Sequence, residues 1–212
     1  MNGDRLSSDP YNVIITGVGG QGNVLASKVM GNMLARQGLF VTIGESFGGN
    51  QRGGSVSSHV RVSEDATWSP QVPKGAAHAI VGLEATETFR ILVDYGNPGV
   101  KVICNTRPIH SVGVISGELN YPDPEDVRKW MAELSARCWF LDATDEAMKM
   151  GGPIFGNIVL IGALAGIEAL PLFREDFEAV MAETMPPEKL AVNMTAYDLG
   201  VDLVRSGDAA AS

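Results

Sequence analysis

Hydrophobic residues along the chain follow two spacings, which predict the strands and the helices. Short apolar runs rich in β-branched residues predict six strands, at 12–16, 39–45, 56–62, 77–83, 100–105 and 138–142. Segments with apolar residues three and four apart predict helices at 23–37, 84–96, 124–137, 150–171, 174–184 and 187–205. Their alternation favours an α/β, three-layer Rossmann-like fold with a mainly parallel sheet and helices on both faces.

A βαβ pattern stands near the start of the chain. The strand at 12–16 runs into GVGGQG, and the helix that follows is closed by Gly38 before the strand at 39–45. This pattern predicts two parallel strands joined by a right-handed crossover. The sequence shows no internal repeat, so we expect an N-terminal extension (1–11), a single domain (12–205) and a flexible tail (206–212).

Charge and cysteine content argue against two kinds of binding. The net charge is −9 and no basic run occurs, so we expect no nucleic-acid partner. Cys104 and Cys138 are the only cysteines, whereas an iron–sulfur cluster needs about four thiolates. Each lies in an apolar strand segment, which predicts a buried thiol in both cases.

Apolar runs are too short for a membrane span. The longest, Ile158–Ile167, falls below the ~18 residues that a spanning helix requires, and the N-terminus carries no secretory signal. We therefore expect a soluble, cytoplasmic protein with no membrane contact. Gly162 and Gly166 lie one turn apart in the same run, which indicates either a buried core helix or a close contact with another subunit.

The turn GVGGQG is the first candidate for ligand binding. Gly17, Gly19 and Gly22 match the dinucleotide fingerprint G-x-G-x-x-G between a strand and a helix, and Glu45 follows 23 residues after Gly22. In that fingerprint the glycines admit a pyrophosphate and the acidic residue binds a ribose hydroxyl. The alternative is that a tight strand-to-helix turn needs these glycines without any ligand.

Catalytic groups are not evident in the sequence. His59, His78 and His110 stand apart from any carboxylate or lysine that would form an acid–base pair with them. The sequence also has no G-x-S-x-G elbow, no HExxH and no phosphate-loop lysine. The pattern predicts a ligand-binding chain without catalytic apparatus.

A second glycine-rich segment reads ESFGGNQRGGSVSSHVR, where two glycine pairs flank Asn50, Gln51 and Arg52. Such a loop is costly in backbone entropy unless a partner or ligand approaches closely. GVGGQG, ES, QRGGSVSSHVR and FGN together resemble the gamma-type chain of the 2-oxoacid:ferredoxin oxidoreductase family, over about Asn12 to Asp202. In the indolepyruvate (arylpyruvate) branch, the corresponding chain is called the beta subunit.

The resemblance implies a non-catalytic subunit of an oxidoreductase complex. Family members oxidatively decarboxylate a 2-oxoacid on thiamine diphosphate, pass electrons through 4Fe–4S clusters to ferredoxin, and usually transfer the acyl group to coenzyme A. This sequence lacks a GDG…N thiamine motif and the cluster cysteines. The resemblance therefore assigns thiamine diphosphate and the iron–sulfur clusters to a larger partner chain, with coenzyme A at the interface.

The resemblance also implies a binding cluster at the carboxyl ends of the first strands. Arg52 is expected to hold a coenzyme A phosphate or a carboxylate, because a guanidinium forms paired hydrogen bonds with either group. The alternative is that Arg52 pairs with an acidic residue of its own chain. Asn157 is expected to cap a helix or tie down a loop. The predicted cofactor-binding residues are Gly17, Gly19, Gly20, Gln21, Gly22, Glu45, Ser46, Gln51, Arg52, Gly53, Gly54 and Ser55.

Two alternatives to this function stay open at the level of sequence. The chain could be a self-sufficient NAD(P)- or flavin-binding oxidoreductase that uses Gly17 to Gly22 and Glu45. It could also serve the complex in a purely structural way, with no ligand of its own.

Overall fold

The computed structural model describes residues 5–48, 54–110, 112–118 and 120–206. One sheet contains the strands β1 Tyr11–Val18, β2 Phe40–Phe47, β3 Ser55–Ser63, β4 Ala79–Gly82, β5 Lys101–Asn105 and β6 Arg137–Leu141. The helices are α1 Asn23–Arg36, α2 Ala85–Tyr95, α3 Val112–Ile115, α4 Pro124–Glu133, α5 Ala143–Lys149, α6 Gly156–Gly166, α7 Arg174–Thr184 and α8 Pro187–Ser206.

The strand order across the sheet is β2-β3-β1-β4-β5-β6. β3 is antiparallel to both of its neighbours, and the other pairs are parallel. The predicted fold class is confirmed. β1 and β2 are parallel to each other because each is antiparallel to β3, so the predicted βαβ unit forms with an additional strand between its two strands.

Two hydrophobic cores lie on opposite faces of the sheet, because successive side chains of a strand point to opposite faces. Val13 and Ile15 of β1 belong to the core formed with α1, α6, α7 and α8. Ile14, which lies between them in sequence, belongs to the core formed with α2 and α4. β1 is buried along its whole length, as a central strand covered on both faces should be.

The predicted helix at 150–171 is shorter in the structure, so that prediction was wrong at both ends. Gly151 has a φ of 109°, and Pro153 follows, so α6 begins only at Gly156. α6 ends at Gly166, and Glu168 then has a φ of 53°, which does not continue a right-handed helix. α5 follows β6 directly and was not predicted, because its seven residues are too few for a clear amphipathic pattern.

The close glycine spacing in α6 serves a contact within the chain. A Cβ on Gly162 would lie 2.0 Å from the Tyr197 carbonyl oxygen of α8, and a Cβ on Gly200 would lie 1.9 Å from the Val159 carbonyl oxygen of α6. Of the two interpretations of Gly162 and Gly166, the buried core helix is therefore the one observed. Among the described residues, no helix combines the length and apolarity that crossing a membrane requires.

We predict that Gly162→Ala lowers the free energy of unfolding by about 1–3 kcal/mol or more, because the new methyl group forces α6 and α8 apart. The midpoint of thermal unfolding should fall by about 2–4 °C for each kcal/mol. Gly152→Ala is the matched control, since a Cβ there meets no atom of the described chain within 4 Å. Equal stability of the two variants would contradict the packing argument.

Candidate functional site

The glycine turn after β1 is held in place by the Gln21 side chain. Gln21 Oε1 accepts a hydrogen bond from the Val18 backbone N–H at 2.7 Å, and Gln21 Nε2 donates to the Leu83 carbonyl oxygen at 2.7 Å. The Gly19 N–H donates to the Gly54 carbonyl oxygen at 2.9 Å. The turn is therefore attached to the ends of both strands that flank β1.

Two of the fingerprint glycines are required by contacts inside the chain. A Cβ on Gly17 would lie 2.6 Å from Gln21 Oε1, and a Cβ on Gly22 would lie 2.3 Å from Asn157 Nδ2. Gly22 and the neighbouring Gly20 also have φ values of 89° and 100°, in the left-handed region that favours glycine. The structure of the chain therefore accounts for two of the three fingerprint glycines without a ligand.

A crevice of about 490 Å³ opens beside this turn, at the carboxyl ends of β1, β4 and β5. Its volume lies within the range of roughly 300–1,000 Å³ that is usual for ligand pockets. The chain leaves β1 for β2 and β3 on one side of the sheet, and returns to β4, β5 and β6 on the other. Ligands of open α/β sheets bind in a crevice at such a reversal of strand order.

Polar groups line one part of the crevice. Asn105, at the end of β5, donates to the Leu83 carbonyl oxygen at 3.0 Å and to Thr144 Oγ1 at 2.9 Å, which fixes its amide. Arg107 lies at the rim, where it pairs with Asp145 at 2.6 Å. Apolar side chains form the opposite wall: Leu83, Ile109, Met148, Pro153, Ile154 and Leu160.

Two buried asparagines stand where the turn meets α1 and α6. Asn157 lines the crevice, and its Nδ2 contacts the Gly22 carbonyl oxygen at 3.4 Å. Asn23 donates to the Val56 carbonyl oxygen at 3.0 Å. Within the described part of the chain, the side-chain oxygens of both residues lack a hydrogen-bond donor. Each of these two buried oxygens can accept a hydrogen bond from an ordered water or from a ligand.

The start of α1 lacks a side-chain cap. Gly22 is its N-cap residue and provides no side-chain hydrogen bond to the first backbone N–H groups of the helix. Such groups, together with the helix dipole, favour negative charge in the adjacent space.

Neither cysteine is a reactive thiol. Cys104 and Cys138 are buried and unpaired, as expected from their apolar surroundings. Burial raises the pKa of the Cys104 thiol to about 12, and burial also raises the pKa of the Cys138 thiol. Neither forms a thiolate nucleophile near neutral pH. The described residues contain no cluster of three or more His, Cys, Asp or Glu that could hold a metal ion.

The predicted binding residues are only partly brought together. Gly54 meets the glycine turn, but Glu45 is exposed on the edge strand β2, where it pairs with Ser58 of β3. Ser58 in turn pairs with Ile15 of β1, so Glu45 lies two strands, roughly 10 Å, away from β1. The inserted strand thus separates Glu45 from the turn whose ribose contact it was predicted to complete.

Ser46 and Ser55 lie on the sheet face that α2 covers, beside a second and smaller cleft. Ser55 Oγ accepts a hydrogen bond from the Arg90 guanidinium. Gln51, Arg52 and Gly53 lie outside the described residues.

Sequence reasoning missed Asn105, Arg107 and Thr144 as crevice residues, and treated Asn157 as a structural cap. A signal for Asn105 was present, because this polar residue follows the apolar run Val102–Cys104 at the end of a predicted strand. The carboxyl ends of parallel strands meet at one edge of a sheet, where polar residues come together. Thr144 carried no comparable signal, since α5 was not predicted. Asn157 belongs to the FGN segment that resembles the family, but it was expected only to cap a helix or tie down a loop.

A family model described as pyruvate ferredoxin/flavodoxin oxidoreductase matches residues 12–203. The chain belongs to this family. Indolepyruvate oxidoreductase subunit IorB of Thermococcus kodakarensis is 38% identical over 192 residues, covering 90% of this chain and 94% of the relative. IorB of Archaeoglobus fulgidus is 32% identical over 196 residues, covering 92% and 96%. The 2-oxoglutarate synthase subunit KorC of Archaeoglobus fulgidus is 26% identical over 196 residues, covering 92% and 88%.

Solved structures share the fold. Pyruvate oxidoreductase subunit PORC of Thermotoga maritima has a TM-score of 0.70 at 20% identity, with 92% of this chain and 97% of that one covered. The 2-oxoglutarate:ferredoxin oxidoreductase of Magnetococcus marinus, solved with 2-oxoglutarate, coenzyme A and succinyl-CoA bound, has a TM-score of 0.71 at 18% identity. The match covers 96% of this chain and 32% of that one. The predicted family and the predicted class, an oxidoreductase subunit, are confirmed.

We predict that Gln21→Ala loosens the glycine turn, because it removes the two hydrogen bonds that attach the turn to Val18 and Leu83. The free energy of unfolding should fall by about 1–3 kcal/mol. Hydrogen exchange at the Val18 amide should accelerate, measured by mass spectrometry or NMR. Gln71→Ala is the control, because Gln71 is exposed and its side chain has no hydrogen-bond partner in the described chain. Unchanged exchange at Val18 would show that Gln21 does not hold the turn.

Proposed function

We propose that this chain is the small, non-catalytic subunit of an indolepyruvate-type 2-oxoacid:ferredoxin oxidoreductase. The observation that carries the proposal is the 38% identity to IorB over 90% of this chain and 94% of that subunit. In this proposal, a larger subunit holds thiamine diphosphate and the iron–sulfur clusters and delivers electrons to ferredoxin. The overall reaction is the oxidative decarboxylation of an aryl 2-oxoacid to an acyl-coenzyme A.

The side chains of this subunit support a non-catalytic role. His59 and His78 are buried or largely buried, and each ring uses Nδ1 to accept a backbone N–H, from Val72 and Asn12 respectively. Burial lowers the pKa of both rings, so they are neutral near pH 7. Neither histidine lines the crevice, and the thiols are protonated. Within the described residues, no acid–base pair faces the space where a substrate would bind.

We further propose that the crevice accepts part of coenzyme A. The uncapped N-terminus of α1, which begins directly after the crevice residue Gln21, and the Arg107 guanidinium suit a phosphate. The apolar wall formed by Leu83, Met148 and Ile154 suits a pantetheine chain or an adenine ring. The unpartnered Asn157 oxygen suits an amide or amino N–H donor. When bound, coenzyme A supplies the thiol that accepts the acyl group.

An apolar rim supports an interface beside the crevice. Ile109, Met148 and Ile154 line it and are 39%, 52% and 49% exposed. Large exposed side chains around a concave site are typical of a surface that another chain covers. In the proposed complex, the larger subunit covers this rim, so that the crevice opens toward the thiamine diphosphate site.

We expect the tagged chain to co-purify with a larger partner from its native host under anaerobic conditions, because the proposed catalytic cofactors lie in that partner. Mass spectrometry should identify the partner and bound thiamine diphosphate. The eluate should show a broad absorbance at about 400 nm from thiolate-bound iron–sulfur clusters. A lone, colourless chain that retains NAD or a flavin would contradict the proposal and support a self-sufficient nucleotide-binding enzyme.

For Arg52, we predict that Arg52→Ala in the assembled complex raises the KM for coenzyme A by about tenfold or more, because a charge-assisted hydrogen bond to a phosphate is lost. The turnover number at saturating coenzyme A should change much less, since the interaction contributes to binding rather than to chemistry. Arg36→Gln is the control, because Arg36 pairs with Glu183 on α7. An unchanged KM would remove Arg52 from the coenzyme A site and leave the subunit assignment intact.

A further inference from the structure

A second concave region lies outside the crevice, between β3 and α2. This cleft has a volume of about 360 Å³ and sits at the carboxyl end of β2, on the sheet face that α2 covers. The crevice described above lies instead at the ends of β1, β4 and β5. Polar side chains dominate the walls of the cleft: Ser46, Ser55, Ser57, His59, Arg90 and Asp94.

Two of these polar side chains are buried and carry unused hydrogen-bonding groups. Ser57 is 5% exposed, and its hydroxyl has no hydrogen-bond partner in the described part of the chain. His59 is 2% exposed, and its Nδ1 accepts the Val72 N–H at 3.2 Å. A neutral ring with Nδ1 as acceptor carries its proton on Nε2. Among the described residues, no acceptor meets that Nε2–H.

Arg90 places a third donor at the mouth of the cleft. Its Nε and Nη2 donate to Glu87 Oε2 at 2.9 and 2.8 Å, and its guanidinium also contacts Ser55 Oγ. Nη1 has no partner in the described part of the chain. Asp94, on the wall of the same cleft, is paired with Lys74 at 3.0 Å. The Glu87 and Asp94 carboxylates are therefore already paired, with Arg90 and Lys74. The Ser57 hydroxyl, His59 Nε2–H and Arg90 Nη1 have no partner among the described residues.

We propose that this cleft binds an oxyanion, a carboxylate or phosphate group, through the Ser57 hydroxyl, His59 Nε2–H and Arg90 Nη1. His59 Nε2–H and the guanidinium can only donate, so a group rich in acceptor oxygens is their complement. Ser57 and His59 are nearly enclosed residues, and both line this polar cleft, where the oxygens of an oxyanion can accept hydrogen bonds from them. The site is independent of the coenzyme A crevice.

The test uses the full chain, labelled with nitrogen-15 at histidine and titrated with inorganic phosphate at constant ionic strength. Only His59, His78 and His110 contribute signals, and His78→Gln and His110→Gln assign them. His78 is an internal control, because its Nδ1 also accepts a backbone N–H, from Asn12 at 2.9 Å, but it lies outside the cleft. The His59 Nε2 resonance should shift and saturate at millimolar phosphate, while the His78 resonance stays in place.

Three variants separate the site from general anion effects. Ser57→Ala and Arg90→Gln should each weaken phosphate binding by about tenfold, since each removes a donor to a charged group. Arg36→Gln should bind phosphate as the wild type does, because that guanidinium is similarly exposed and paired but lies on α1. A His59 shift no larger than that of His78, or one unaffected by Ser57→Ala and Arg90→Gln, would overturn the proposal.

The same titration in the assembled complex distinguishes two sources of the oxyanion. If phosphate binding persists, the natural group belongs to a phosphorylated small molecule. If it disappears and Arg90→Gln weakens assembly, the natural group is a carboxylate of the partner subunit. A loss of phosphate binding on assembly with no effect of Arg90→Gln on assembly would contradict the proposal.

Discussion

The antiparallel strand β3 lies between β1 and β2, and its continuous pairing with β1, from Tyr11↔Val62 to Val18↔Ser55, sets the positions of the two glycine-rich segments and of Glu45. This pairing brings the Gly54 carbonyl to the Gly19 N–H, so the two glycine-rich segments meet at the end of β1. The same strand moves β2 to the edge of the sheet. Glu45 is thereby separated from the turn that a dinucleotide-binding protein would place beside it.

The local chemistry of the glycine turn follows from this arrangement. Gly17 and Gly22 are needed because Gln21 and Asn157 occupy the space that a Cβ would require. Packing at a tight strand-to-helix connection therefore accounts for two of the three glycines that match the dinucleotide fingerprint. The space for a ligand lies on the other side of the turn, where the chain reverses direction between β1 and β4 and where Asn105 and Arg107 end the neighbouring strand.

The groups that line the crevice are suited to binding and orienting a ligand. His59 and His78 have lowered pKa values and both thiols are protonated near pH 7, whereas Asn105, Asn157 and Arg107 bring amide and guanidinium groups to the crevice. This distribution agrees with the subunit role inferred from the relatives. Exposed apolar side chains, Ile109, Met148 and Ile154, also collect around the crevice, as they do at surfaces that another chain covers.

The sequence by itself determined the strands, most of the helices and the fold class, because those depend on local apolar spacing and on glycine and proline at element ends. It also carried the family resemblance, through the QRGG and GVGGQG segments. Tertiary structure decided the strand order, which has no local signal because pairing partners are distant in the sequence. It also decided that α6 packs on α8 through Gly162 and Gly200, and that Asn105, Thr144 and Asn157 converge beside the turn. These last placements depend on the two-sided packing of the sheet, which no single segment encodes.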